Sequence, residues 1–254
     1  MILGRTVNYR RIRNAVSAHR ARAAWTPAAL FAQGQQGVWY EPKPEYLFQD
    51  AAGTIPVTAD GDPVGRMLDL SPNGNHATQS TSARRPVFPG LAYDGVDDSL
   101  LSIASNQLQR PFTVAVKFSP YEVSEDDAGA YRVFSRGTDV STRGGIAVNS
   151  GNVYINTSGA DGFNVRPVSA FDEVALVVRF LAAETVVYID GQEVVSQEAI
   201  SGEASSTRSA IGRQAGSSLR RLFDGKIGPL VAINGDIGAE AAGNLLSYLE
   251  GIAL

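Results

Sequence analysis

The sequence predicts an all-β antiparallel sandwich, preceded by a basic arm and closed by one short C-terminal helix. Three observations carry that prediction. From Gln36 onward, strand-length runs rich in Val, Ile, Phe and Tyr recur between clusters of Gly, Asn, Asp, Ser and Pro. No helical stretches alternate with them, as a parallel sheet would require. Only Gly238–Glu250 combines Ala, Leu and Glu with Leu245, Leu246 and Leu249 at helical spacing.

The first element is the arm, residues 1–35, read as helical or extended and as docking to a partner. Met1 to Ala24 holds Arg5, Arg10, Arg11, Arg13, Arg20 and Arg22 and no Asp or Glu. With six of the chain's 22 basic residues there, the rest carries 16 basic and 26 acidic side chains, a balance of −10. A cationic leader therefore precedes an anionic body. Its few large apolar residues are too sparse to fold alone. Trp25 follows the basic stretch and, with the arginines, forms the predicted docking set. Stacking of Tyr9 and Trp25 on nucleic acid is the weaker alternative, because their spacing is unspecific.

Residues 36–254 make the body. Phe112–Phe118, Gly145–Asn149, Asn152–Asn156, Val174–Phe180, Thr185–Ile189 and Lys226–Ile233 are each strand-length and β-branched. Asn149-Ser-Gly-Asn152 and Asp190-Gly191 fall between such runs, where residues tolerant of positive φ permit tight hairpins.

Four stretches in order give the body a family likeness: Leu68–Thr78, with Asp69, Ser71, Asn73, Gly74 and Asn75; Leu91–Leu101, with Asp94-Gly95; Phe171–Leu176 leading to Val187–Val194; and Ala210–Arg213 leading to Phe223–Ile233. This series resembles the laminin-G-like, concanavalin-A-like jelly roll. Gly37–Pro42 and Leu47–Gly65 are similar to segments that introduce this jelly roll in tailed-phage and prophage virion proteins. The resemblance implies a non-enzymatic virion structural protein (tail, fibre, or head appendage or decoration), assembled in the host cytoplasm. Its arm would dock to other virion proteins and its jelly roll would project outward, with host-surface glycan as a partner. A homo-oligomer is implied, with a trimer compatible with an appendage, although no heptad repeat enforces one. The alternative is a carbohydrate-binding adhesion module proper or, less favoured, a polysaccharide-degrading glycoside hydrolase.

Composition narrows the chemistry. There is no cysteine, and His19 and His76 are the only histidines, which argues against thiolate catalysis and His-rich metal sites. No run of 18 apolar residues could span a bilayer, and the N-terminus lacks an apolar export segment. No cofactor motif is present. Calcium is the one ion suggested: Asp69, Ser71, Asn73 and Gly74 match the first half of a calcium loop, with Asn75 following. Ser80 stands where a bidentate Glu is required, so a carboxylate such as Asp97, Asp98 or Asp62 would have to be borrowed. The competing reading is an Asx-stabilised loop. Hydrolysis of glycosides needs two carboxylates facing one groove. Glu125-Asp-Asp127 and Asp172-Glu173 are consecutive, and consecutive side chains on a strand point to opposite faces. No catalytic residue is assigned. Tyr121, Tyr131, Tyr154 and Phe163 lie in or beside loops and outer strands and are the candidates for stacking on sugar rings.

Overall fold

The computed structural model describes residues 8–11 (backbone only), 25–104, 107–123, 131–136, 144–158, 161–196, 208–215 and 221–254. Two antiparallel sheets face one another, as the sequence predicts. The first contains β1 (Asn8–Arg11), β2 (Gly37–Tyr40), β6 (Ala92–Asp94), β8 (Phe112–Pro120), β13 (Val174–Phe180), β14 (Thr185–Ile189), β15 (Gln192–Ser196) and β17 (Asp224–Asn234). Its order is β1-β15-β14-β13-β8-β17-β2, with β6 also pairing to β17. The second contains β3 (Leu47–Phe48), β4 (Arg66–Met67), β5 (Ala77–Thr78), β7 (Leu100–Ala104), β9 (Tyr131–Arg136), β10 (Gly144–Asn149), β11 (Asn152–Ser158), β12 (Asp161–Pro167) and β16 (Arg208–Ile211). Its order is β12-β11-β10-β9-β16-β7-β5-β4-β3.

Local chemistry sets the hairpins. Ser150-Gly151 joins β10 to β11 and Asp190-Gly191 joins β14 to β15, each with both residues at positive φ. That is the geometry whose twist matches paired strands. Gly37 is required for another reason: a side chain there would run into the Ala232 carbonyl of β17.

The main core lies between the sheets. Phe112 and Phe180 stack at 4.6 Å, and the fully buried Arg136 guanidinium lies 4.8 Å above the Phe112 ring. Phe223 meets Phe118 and Tyr93 edge-on. The first sheet is also covered on its outer face. Helix α1 (Gly238–Glu250) lays Ala242, Leu245, Leu246 and Leu249 against Ala115, Val177, Val186, Val231 and Ile233. Every residue of β8 is consequently buried. Asp236 holds the start of α1, accepting from the Gly238 amide at 3.0 Å and pairing bidentately with Arg179 at 2.6 and 2.7 Å. At the other end, Lys117 reaches the Ile252 carbonyl and the Glu173 carboxylate, at 2.5 and 2.8 Å.

Part of the predicted arm belongs to this architecture. Asn8–Arg11, including Arg10 and Arg11, pairs antiparallel with Gln192–Val195 at the sheet edge. Phe31 is buried in the outer cluster, and Trp25 packs edge-on against Tyr248 with ring centroids 6.3 Å apart. Trp25 thus covers the chain's own helix, because the apolar outer face of the first sheet extends beyond what α1 alone can shield. Arg5, Arg13, Arg20 and Arg22 lie outside the described residues.

Leu245 is fully buried between α1 and the sheet. Leu245→Ala is expected to lower the unfolding free energy by roughly 2–5 kcal/mol, read by denaturant titration.

Candidate functional site

The loop that resembled half a calcium site is a closed hydrogen-bonded nucleus. Asp69 is 7% exposed and uses both carboxylate oxygens inside the chain. Oδ1 accepts from the Trp39 and Ser71 amides, each at 2.9 Å. Oδ2 accepts from the Ser71 hydroxyl at 2.8 Å and the Asn75 amide at 2.9 Å. Asn73 Nδ2 donates to the Gln35 and Gly37 carbonyls, and Asn75 Nδ2 also donates to Gly37. The donors that satisfy Asp69 are the loop's own Ser71 and Asn75 together with the Trp39 amide of β2, so both of its oxygens are engaged within the chain as in an Asx-stabilised loop. His76 completes the nucleus by accepting the Asp69 amide on Nδ1 at 3.0 Å. Burial and nearby Arg66 hold the imidazole below its ordinary pKa.

Asp97 and Asp98, the proposed borrowed ligands, instead join Asp94. Ligand oxygens of these three lie within 4.8 Å of one another, a group that could hold a cation. Chain donors serve this turn too: Asp94 Oδ1 accepts from the amides of Val96, Asp97 and Asp98, at 2.9, 3.2 and 3.4 Å. Asp98 Oδ2 accepts from the Asp94 amide at 3.2 Å. Burial, and then the like charge of Asp94, push the Asp98 carboxyl up to about 6. Asp62 binds the Thr58 and Ala59 amides within its own turn.

The predicted sugar-stacking residues separate. Phe163 is 5% exposed and belongs to the main core, so it is not available to a ligand; alternation along β12 turns it inward. Tyr131 packs partly buried against the same core, and the Tyr154 ring lies over Gly162. Tyr121 differs. It follows β8 at the sandwich rim, where its amide donates to the Asp224 carbonyl, and its ring tilts 39° against Phe171 with centroids 5.6 Å apart. Phe171 is 70% exposed and sits at φ 66°, left-handed backbone that a bulky side chain rarely adopts. Its amide donates to the Pro120 carbonyl at 2.6 Å. The sequence signal for Phe171 was an aromatic standing alone in a polar turn, between Ser169 and Asp172.

Register brings the acidic turn beside this pair. Asp224 lies opposite Asp94 across β17 and β6, while Gly225 lies opposite Pro120 across β17 and β8. Burial, then Glu122 and Asp94, raise the Asp224 carboxyl above its ordinary value. The rim therefore offers two rings next to a row of carboxylates: flat apolar faces beside strong acceptors. Asp172 accepts the Ser169 amide and Glu173 pairs with Lys117, so both serve the chain itself. Glu125, Asp126 and Asp127 lie outside the described residues.

No family model and no curated protein matches the chain. Among solved structures it is similar to Trypanosoma rangeli sialidase in complex with 2,3-difluoro-KDN, at 14% identity and a TM-score of 0.60, covering 94% of this chain and 36% of the sialidase. A mutant of that sialidase displaying trans-sialidase activity gives 14% identity and 0.60, covering 91% and 37%. Domain 4 of an extracellular GH43 arabinanase from Geobacillus stearothermophilus, in complex with arabinotriose, gives 12% and 0.49, covering 84% and 98%. The chain spans about a third of the length of the sialidase chains it matches. At these identities the likeness establishes the jelly-roll type of β-sandwich.

The Asp98 environment has a pH signature. The folded chain keeps this proton up to about pH 6, whereas the unfolded chain releases it near 3.8. Between those values the folded state binds more protons, so stability falls as pH rises. With EDTA present, Asp98→Asn is expected to stabilise the protein by roughly 2 kcal/mol at pH 7 and to flatten that slope, measured by denaturant titration from pH 4 to 7.

Proposed function

We propose that this chain is a carbohydrate-binding β-sandwich module that holds a saccharide at its rim without altering it chemically. The observation that carries the reading is Phe171: a large ring, 70% exposed, held in strained backbone beside Tyr121. Left-handed backbone costs an ordinary residue about 1–2 kcal/mol. Such strain persists where the surroundings enforce it, and it clusters at functional positions. The apolar face of a sugar ring would stack on Phe171 and Tyr121. Its hydroxyls would donate to the neighbouring carboxylates of Glu122, Asp224 and Asp94. The likeness to a sialidase structure that contains a difluoro-sugar supports the reading.

Phe171→Asn provides the test, because Asn tolerates left-handed backbone and removes the ring. The variant is expected to melt at the same temperature or up to about 2–4 °C higher, while losing binding to the neutral glycans of an array that the parent chain reads. Retained binding would remove the rim from consideration.

A second reading is favoured by the charge division at residue 24 together with the phage-like stretch Gly37–Gly65. In it the module is a component of a tailed-phage virion, assembled in the host cytoplasm, tethered through its basic arm and presenting the rim to host-surface glycans. Many copies would turn weak sugar contacts into firm attachment. Removing residues 1–24 is expected to leave a folded sandwich, since Trp25 and Phe31 remain on α1, yet one absent from assembled particles. Normal incorporation of the truncated chain would refute the docking role.

A further inference from the structure

We propose that the groove on the outer face of the nine-stranded sheet, between Arg66 and Arg208, binds the carboxylate or sulfate ester of an acidic saccharide. The site is separate from the aromatic rim, and only the saccharide half of the inference rests on the function proposed above.

The groove encloses about 430 Å³, within the range of small-molecule sites. Met67 and Ala77 point into the main core, so alternation turns Arg66 and Thr78 to the opposite face. Arg66 and Thr78 are paired in register, Thr78 with Leu101, and Arg208 with Ala104. Two guanidinium groups from chain positions far apart thus border one depression. Among the described residues, no Asp or Glu lines it. Among the described residues, neither arginine has a carboxylate at ion-pair distance. That is unusual in a body whose balance is −10, where acidic partners are plentiful.

The two arginines differ in how far the fold accounts for them. Arg208 is fixed by the carbonyls of Ser102, Leu101 and His76, at 2.7, 2.6 and 3.1 Å, and by the Thr78 hydroxyl at 3.0 Å. It is a rigid positive wall. Arg66 donates from Nη1 to the Ala52 carbonyl at 2.8 Å, and its Nε is buried without a hydrogen-bond partner. A buried donor left unpaired is costly, so the fold satisfies Arg66 less completely than Arg208. The planar guanidinium fork matches carboxylate and sulfate oxygens. His76 uses Nδ1 to accept the Asp69 amide, which leaves Nε2 to carry the ring proton as a further donor. Asn75, Thr78 and Gln107 add the neutral donors and acceptors that hydroxyl groups need.

The test is calorimetric titration of the full chain with an oligogalacturonate, a heparin-derived tetrasaccharide, cellotetraose and inorganic sulfate. One or both acidic oligosaccharides are expected to bind, more weakly as salt rises, and cellotetraose is not expected to report on the groove. Binding of the galacturonate alone identifies a carboxylate site, and binding of the heparin fragment alone a sulfate-ester site. Arg66→Met keeps the apolar stem and should reduce affinity about tenfold or more at an unchanged melting temperature. Arg208→Lys keeps the charge but not the bonds to Ser102, Leu101, His76 and Thr78 that fix its position, and should also weaken binding. Phe171→Asn should leave this binding intact, so the groove is supported even if the rim takes no sugar. The proposal is overturned if neither acidic oligosaccharide binds the folded parent, if both arginine variants bind as the parent does, or if inorganic sulfate binds as tightly as the saccharide.

Discussion

The structure depends on burying β8 and β17 on both faces. These are neighbouring interior strands of the first sheet, and each face of each strand carries apolar side chains. One face is met by the opposing sheet. The other, with Ala115, Val231 and Ile233, would be exposed were it not for α1 and the segment containing Trp25 and Phe31. Arg179, Asp236 and Lys117 are the polar fastenings of that outer layer. A strand pair fixed from both sides has little freedom at its ends, and the rim grows from one of those ends, where Pro120, Tyr121 and Asp224 leave the sheet.

That rigidity explains how the rim tolerates features that would be unfavourable elsewhere. Phe171 keeps a left-handed backbone because its amide is tied to Pro120 and the turn that contains it is closed between Ser169 and Asp172. Asp98 stays beside Asp94 and Asp97 because three amides of the same turn converge on Asp94. The loop around Asp69 contrasts with both. There each polar side chain finds a partner within the chain, and the result fastens Gly37 and Trp39 at the start of β2. One acidic region satisfies itself in building the fold; the other is left with excess charge and exposed rings.

Much of this was legible in the sequence because its signals are local. The runs at Phe112, Val174 and Thr185 became β8, β13 and β14, Asp190-Gly191 made the expected hairpin, and α1 occupies Gly238–Glu250 as its leucine spacing required. The two-residue strands β3, β4 and β5 left no pattern, since alternation needs more residues than they contain. Trp25 and Phe31 read as arm because the surface they cover is assembled from strands far away in the chain. Phe163 read as a sugar platform because the face of a strand is decided by its partner's register. Tyr121 was visible, but its neighbour Phe171 became so only through the turn that lifts it out of the core. Arg66 and Arg208 were invisible as a pair, lying on strands joined only through β5 and β7.

On the proposed reading, the rim is suited to recognition rather than to bond cleavage. Hydrolysis of a glycoside calls for an acid and a base on opposite sides of a held bond, within a recess that excludes water. The raised carboxyl of Asp98 has the first property in isolation, but the same turn that raises it binds its oxygen to the Asp94 amide and sets Val96 out into solvent beside it, 70% exposed. Rings and carboxylates spread along an edge gain from a ligand that lies flat and exchanges water hydrogen bonds for protein ones. On that reading they hold a saccharide rather than surround a transition state.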